Sequence, residues 1–385
     1  MAKRIISAPQ LQLDEKIGEL GPLAFAEYVQ KNFQSRYWEY EKLLGRGGFG
    51  IAVLMKQHDR LGPPGQRVAV KLARARGAAE LKKEIDILKQ LNGAAHIVSI
   101  QGSCDDLAQT VKDRRSGLLP KLNGNSRQGV RILTSFLFES FVGVEGPAVA
   151  LEYLECGDAL GLYRKLANRK PRRNVPNRVL WSFLLCLARA TTGIAYPIGA
   201  PIGSTPVTER IPLSGDQSNE SPLQHNDLFN RNIMLTVSDG VQEHGIGAVA
   251  KLIDFGLAKD GGGSASNMLA CAVILTGLIT FRPLGNEPVI YKGSETRAGK
   301  LVGQNGIEPH PFPWLDPELR DILLRCLYLD IENRPSLREV LDIAEAAVLE
   351  KTATSFPNPV EETDEAVADF MQEFLLDVPR QMGLL

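Results

Sequence analysis

Gly45-Arg-Gly-Gly-Phe-Gly50 constrains the fold of this chain more than any other feature. Glycines spaced G-x-G-x-x-G serve two different architectures, and the residues after the last glycine separate them. A dinucleotide-binding turn runs from a strand through the glycines into a helix. Here Tyr37–Lys56 alternates, breaks on the glycines and resumes as Ile51-Ala52-Val53-Leu54, which predicts strand–glycines–strand. The turn signal Leu61-Gly-Pro-Pro-Gly65 then leads into a third, β-branched strand, Val68-Ala-Val-Lys-Leu72. Glycine lets backbone N–H groups approach an anion with no side chain in the way, so such a hairpin suits phosphate oxygens. An ordinary glycine hairpin is the plain alternative.

The rest of the chain divides by periodicity. Residues 77–92 place Leu81, Ile85, Leu88 and Leu91 on one helical face, and 14–35 do the same with Leu20, Phe25, Tyr28, Val29 and Phe33. Ala148–Leu154 reads as a buried strand. Beyond Gly157-Asp158 the chain is mostly helical, with helices expected near 265–280, 316–328, 336–350 and 361–376 and short strands at Asn232–Val237 and Val249–Ile253. The polar, basic stretch 104–128 and the Pro-, Gly-, Ser- and Thr-rich stretch 197–222 read as inserted loops, the second a mobile one. The expected fold class is α+β, with a small strand-rich lobe and a larger helical one that meet near 152–158. The expected divisions are an N-terminal helical extension (1–36), the small lobe (37–155), the helical lobe (156–350) and a helical tail (351–385).

Composition removes several classes. A chain of 385 residues with 44% hydrophobic and 23% charged residues can build a sizeable core. A formal net charge of −1 gives no bulk attraction to nucleic acid or to a membrane surface. The five cysteines are scattered with no CxxC pair, so they suggest neither a zinc site nor a disulfide framework, and read as small core residues. No apolar signal-peptide core follows Met1-Ala-Lys-Arg4, so a reducing intracellular setting, cytoplasmic or nuclear, is expected. The longest apolar runs, Val179–Ile194 and Met268–Phe281, fall short of the ~20 residues a membrane span needs and read as buried helices.

Further motifs carry a family resemblance. Val68-Ala69-Val70-Lys71 resembles the protein-kinase strand whose lysine pairs the α- and β-phosphates of ATP. Glu84, in Glu-Ile-Asp-Ile-Leu-Lys-Gln-Leu, resembles the helix glutamate that holds that lysine, with Glu80 as the alternative one turn earlier. His225-Asn226-Asp227-Leu228-Phe229-Asn230-Arg231-Asn232 is similar to the kinase catalytic loop, and Asp254-Phe255-Gly256 matches the motif that follows it. Motifs in this order, over roughly residues 37–350, resemble the eukaryotic-type protein-kinase-like family, and in particular the kinase-like proteins of filamentous fungi.

The resemblance implies ATP and Mg²⁺ as cofactors. Gly45, Gly47 and Gly50 would cover the phosphates, Lys71 would grip them, and Glu84 would hold Lys71. Asp227 would accept or orient the proton of the acceptor hydroxyl, and Asn232 and Asp254 would ligate Mg²⁺. Glu152 and Leu154 would meet adenine through backbone groups, with Leu151 as gatekeeper and Ala52, Ala69, Leu154 and Met234 around the base.

The chain also departs from the family. Asn226 replaces the arginine that receives an activation-loop phosphate. Phe229 stands where serine/threonine kinases carry lysine, and Arg231 falls where tyrosine-kinase loops carry an arginine, so Arg231 is expected to meet the transferred charge. Asn267 takes the place of a buried aspartate. The segment Lys259–Ser266 is short and glycine-rich, hence expected to be flexible, and Arg334 lacks the glutamate it pairs with in the family. The leading expectation is an ATP-dependent protein kinase of serine/threonine type acting on a protein hydroxyl. A small-molecule kinase of the same fold, and an ATP-binding pseudokinase or scaffold, stay open.

Overall fold

The strands on either side of the glycines are the first of a five-stranded antiparallel sheet. The computed structural model of the protein describes residues 20–58, 65–115, 137–213, 220–237, 242–245, 248–285, 287–302 and 311–375. The insert expected at 104–128 lies outside them from residue 116 on. So do the start of the expected N-terminal helix, most of the turn after Leu61, and the chain beyond 375. The protein is mixed α+β and forms two units: one of residues up to Gly93 with Val98–Tyr153 and Gly199–Pro206, the other of Ala94–Ile97, Leu154–Ile198 and the chain from Val207 on.

The first unit runs α1 (Pro22–Asn32), β1 (Trp38–Arg46), β2 (Gly50–Gln57), β3 (Arg67–Ala73), α2 (Ala78–Leu91), β4 (Ile100–Cys104), α3 (Leu107–Arg115) and β5 (Ala148–Glu152), with strand order β1-β2-β3-β5-β4. Side chains alternate across a strand, and both faces are used. Ile51, Val53 and Met55 of β2 and Val68, Val70 and Leu72 of β3 bury one face together with Trp38, Phe141 and the Phe25, Ala26 and Val29 of α1. Ala73, Ile100 and Val149 bury the other against Leu81 and Ile85 of α2. Each large apolar side chain so covered contributes about 1.5–3 kcal/mol. Helix α1 is therefore no separate extension. It is also shorter than expected, because Pro22, with its fixed φ, begins it and Phe33 is already extended.

The second unit contains α4 (Ala159–Asn168), α5 (Asn177–Ala195), β6 (Leu223–Gln224), β7 (Ile233–Val237), β8 (Ala248–Leu252), β9 (Lys259–Asp260), α6 (Gly263–Thr280), β10 (Val289–Tyr291), β11 (Ser294–Thr296), α7 (Gly299–Val302), α8 (Pro317–Cys326), α9 (Leu337–Glu350) and α10 (Asp364–Phe374). Helix α5 is central and packs on α6 and α9. It is buried on every side from Val179 to Ala195, as a helix apolar all round should be. Both α5 and α6 exceed the apolar runs that mark them in the sequence. By length and composition they reach the size of a membrane span, yet protein covers 94% of the apolar window of α5 and 61% of that of α6.

The start of α5 shows how distant residues close this unit. Pro176 precedes the helix and has no side chain to cap it. Glu362 does so instead, accepting from Asn177 N at 2.6 Å, Arg178 N at 3.0 Å and Asn177 Nδ2 at 2.8 Å. A carboxylate here also meets the positive end of the helix dipole. The expected tail is thus part of the second unit, with Phe370, Met371 and Phe374 of α10 buried and Arg173 paired with Glu373.

The stretch expected as a mobile loop at 197–222 is instead tied down on both sides of its division. In the first unit Asn92 Nδ2 donates to the carbonyls of Ala200 and Pro201, and Gly199 N to that of Gln90. In the second, Val207 bridges Ala94 and Glu209 is buried. Residues 214–219 of it lie outside the described chain.

Candidate functional site

In the first unit, strand register assembles the expected residues. Ala52 pairs with Lys71, and Lys71 with Val149, while Leu54 pairs with Ala69 and Ala69 with Leu151. Directly opposed residues share a face, so Ala52, Ala69, Lys71 and Leu151 lie together. All four are half-buried, whereas Val53, Val68 and Val70 on the other face are fully covered. Lys71 Nζ lies 2.5 Å from Glu84 Oε2, and Glu84 is 2% exposed on the same face of α2 as Leu81 and Leu88. Glu84, rather than Glu80, holds the lysine. The pairing gives the buried Glu84 carboxylate the cation that a desolvated anion needs.

The glycines divide into two kinds. A Cβ on Gly50 would fall 2.2 Å from the Leu72 carbonyl oxygen, so the strand pairing itself requires glycine there. Gly45, Gly47 and Gly48 have open space where a Cβ would stand. The hairpin tip is anchored by Arg74, whose N–H donates to Phe49 O at 2.9 Å and whose Nη1 donates to Gly48 O at 3.1 Å. Gly77 is needed for the same contact, because a Cβ would lie 2.0 Å from Phe49 O. Sequence reasoning missed this glycine.

Glu152 has a further task. Its N–H donates to Ser99 O at 3.0 Å and its Oε1 accepts from Ser99 N at 2.7 Å, so both groups serve to join strand ends. That N–H is not offered to a base.

In the second unit the expected residues sit on irregular backbone. Asp227 Oδ2 accepts from Asn232 Nδ2 at 2.8 Å, and the same amide nitrogen donates to Asp227 O at 2.7 Å. Arg231 Nη2 donates to Asp227 Oδ1 at 2.6 Å, and its guanidinium lies 4.7 Å from the centre of the Phe229 ring. Phe229 and Arg231 therefore act as a pair, the ring supporting the cation. Ile253 N donates to Asn232 O at 3.0 Å, which brings Asp254 beside this loop. Leu154 is buried, and Met234 is half-buried in β7, bridging Asp158.

Buried polar groups hold these loops. Burial pushes the His225 pKa down, so the imidazole is neutral. It bridges Ile253 O through Nε2 and Asp227 N through Nδ1, and its ring meets Phe255 at 4.7 Å. The first bond makes Nε2 the protonated nitrogen and leaves Nδ1 to accept. Asn267 on α6 accepts from His225 N at 3.0 Å and donates to Leu223 O at 3.1 Å. Asn226 and Asp254 have φ of 59° and 63°. Asparagine and aspartate both enter this region more readily than other L-residues, because their short polar side chains can hydrogen-bond the local backbone.

Two expectations about the following segment are corrected. Lys259–Asp260 is a strand paired with Leu223–Gln224, Gly262 N donates to Gln224 Oε1, and α6 begins at Gly263. The glycine-rich segment is thus fixed, because Ser264–Ser266 already belong to the helix. Arg334 has partners after all: it donates to the carbonyls of Tyr328, Leu329 and Ala265. Backbone oxygens take the place of a carboxylate.

No protein-family model matches this chain, and no curated protein matches it.

Proposed function

We propose that the protein is an ATP-dependent phosphotransferase of protein-kinase-like fold, acting with Mg²⁺ on a protein hydroxyl in the manner of a serine/threonine kinase. The Lys71–Glu84 pair carries the reading. A half-buried ammonium held at 2.5 Å by a carboxylate 2% exposed is set in one pose before any ligand arrives. Positioning and electrostatics are what phosphoryl transfer asks of a protein. Gly45, Gly47 and Gly48 would let backbone N–H groups reach phosphate oxygens.

In the second unit Asp254 and the Asn232 amide oxygen would ligate Mg²⁺, a hard cation that takes oxygen donors and keeps several waters. Asn232 Nδ2 is committed to Asp227, which leaves Oδ1 for the ion. Asp227 would orient the acceptor hydroxyl, and Arg231 would offset charge on the transferred group.

One observation favours a second reading, an ATP-binding protein that does not transfer phosphate. Both oxygens of Asp227 already accept a hydrogen bond, from Arg231 and from Asn232. Incubation with Mg²⁺ and γ-labelled ATP, with a generic protein substrate and a cell extract, separates the readings. Label in protein that disappears in Asp227→Asn and Lys71→Met supports transfer to a protein hydroxyl. Label confined to small molecules indicates a different acceptor. Retained ATP binding with no label anywhere supports the second reading.

A further inference from the structure

Away from these loops, the second unit buries a cluster of different chemistry. One ligating atom each from His96, Cys186 and His244 lies within 4.8 Å of the other two, and all three residues are buried. They come from far apart in the chain: the stretch Ala94–Ile97, helix α5, and the short helical turn Gln242–His244. His96 is fixed by its backbone, since Leu252 N donates to His96 O at 3.0 Å.

Two observations set this cluster apart from an ordinary polar core. His96 Nδ1 lies 2.7 Å from Glu209 Oε2, which places the proton of a neutral ring on Nδ1 and a lone pair on Nε2. That Nε2 faces His244 Nε2 at 2.9 Å. Beside them, Glu243 Oε1 is buried and has no hydrogen-bond partner, while lying 3.9 Å from His244 Nε2. Glu243 is 7% exposed, and its other oxygen is held by Arg189 Nη2 at 3.0 Å. Buried acceptors are rarely left unsatisfied. Arg189 Nε, on the guanidinium that holds the other oxygen, also lacks a partner; the converging nitrogen and sulfur donors of His96, Cys186 and His244 are what point to a cation.

We propose that His96, Cys186 and His244 bind a zinc ion. Two imidazoles and a thiolate match the donor preference of zinc. Glu209 is a positioning residue, holding the His96 ring by its other nitrogen as zinc-bound histidines usually are held. The ion would fasten the turn at 242–244 and the stretch around Glu209 onto α5. The spacing of the cysteines gives no sign of such a site, because the partners of Cys186 are adjacent only in the folded chain. This proposal is independent of the phosphotransfer reading.

The test uses the full-length chain, its metal content, and cobalt as a spectroscopic probe. About one zinc per chain is expected after purification. A strong chelator should lower the thermal midpoint, and added zinc should restore it. Cobalt(II) should give visible d–d bands and a near-ultraviolet thiolate charge-transfer band, and Cys186→Ser should remove the latter. Glu209→Gln should weaken zinc binding about 10–100-fold with unchanged stoichiometry. The proposal is overturned if neither zinc nor cobalt changes the spectrum or the melting of the wild-type chain, or if the charge-transfer band survives in Cys186→Ser. The wild-type measurements decide by themselves should a variant fail to fold.

Discussion

The two units place their candidate residues by different means. In the first, Ala52, Ala69, Lys71 and Leu151 share a face because strand pairing puts them there, and one contact from a helix, Glu84 to Lys71, completes the set. In the second, Asp227, Asn232 and Asp254 stand on loops. Their places depend on bonds between His225 and Ile253 and between Asn267 and His225, groups 28 and 42 residues apart. A sheet positions side chains by repetition and tolerates the loss of a single polar bond. A loop site lacks that repetition and leans on a few polar bonds beside the packing of residues such as Phe255, so each bond counts for more.

Mutations can break or sharpen this contrast. The largest effect is expected for Asp227→Asn, which should lower γ-phosphate transfer about 10²–10⁴-fold with ATP affinity little changed. Transfer within tenfold of wild type would remove Asp227 from the role of acceptor base. Lys71→Met comes next, since it leaves a carboxylate buried without its ammonium. A cost of about 2–3 kcal/mol in urea unfolding is expected, below the value for a fully buried pair because Lys71 is partly exposed. An unchanged midpoint would mean that Glu84 is stabilised by other groups.

Asn267→Ala tests whether the loop depends on its support. Losing both bonds should cost about 2 kcal/mol and lower transfer at saturating ATP, while KM for ATP stays as it was. A rise in KM alone would place the effect on nucleotide binding instead. The glycines give the smallest and cleanest comparison. Gly50→Ala drives a Cβ toward Leu72 O and should destabilise the chain by about 1–3 kcal/mol. Gly47→Ala meets nothing, so it should leave the melting temperature alone and raise only KM for ATP. Equal effects from the two would contradict the division into structural and ligand-facing glycines.

Much of this was legible in the sequence. The helical period of 78–91 places Leu81, Ile85, Leu88 and Leu91 inward as expected, and with them Glu84. Alternation in Arg67–Ala73 separates Val68, Val70 and Leu72 from Ala69 and Lys71. Less was legible in the polar residues. Nothing in the local sequence shows that the Glu152 side chain and N–H meet Ser99; Arg334 suggested a missing carboxylate and proved to bind carbonyls. Composition alone made residues 197–222 a mobile loop, although Asn92 and Glu209 anchor it.

The sequence by itself determined the periodic elements, the pairing of the glycine hairpin and the order of the candidate residues along the chain. Those features depend on neighbours within a few positions, and their periods of 2 and 3.6 are written into the order of apolar residues. Only the tertiary structure decided which buried polar group meets which. Glu362 caps a helix that begins 185 residues earlier, and His96 meets His244 across 148 residues. No local pattern records such pairs. Each is chosen because a buried donor or acceptor left without a partner costs more than most packing contacts return.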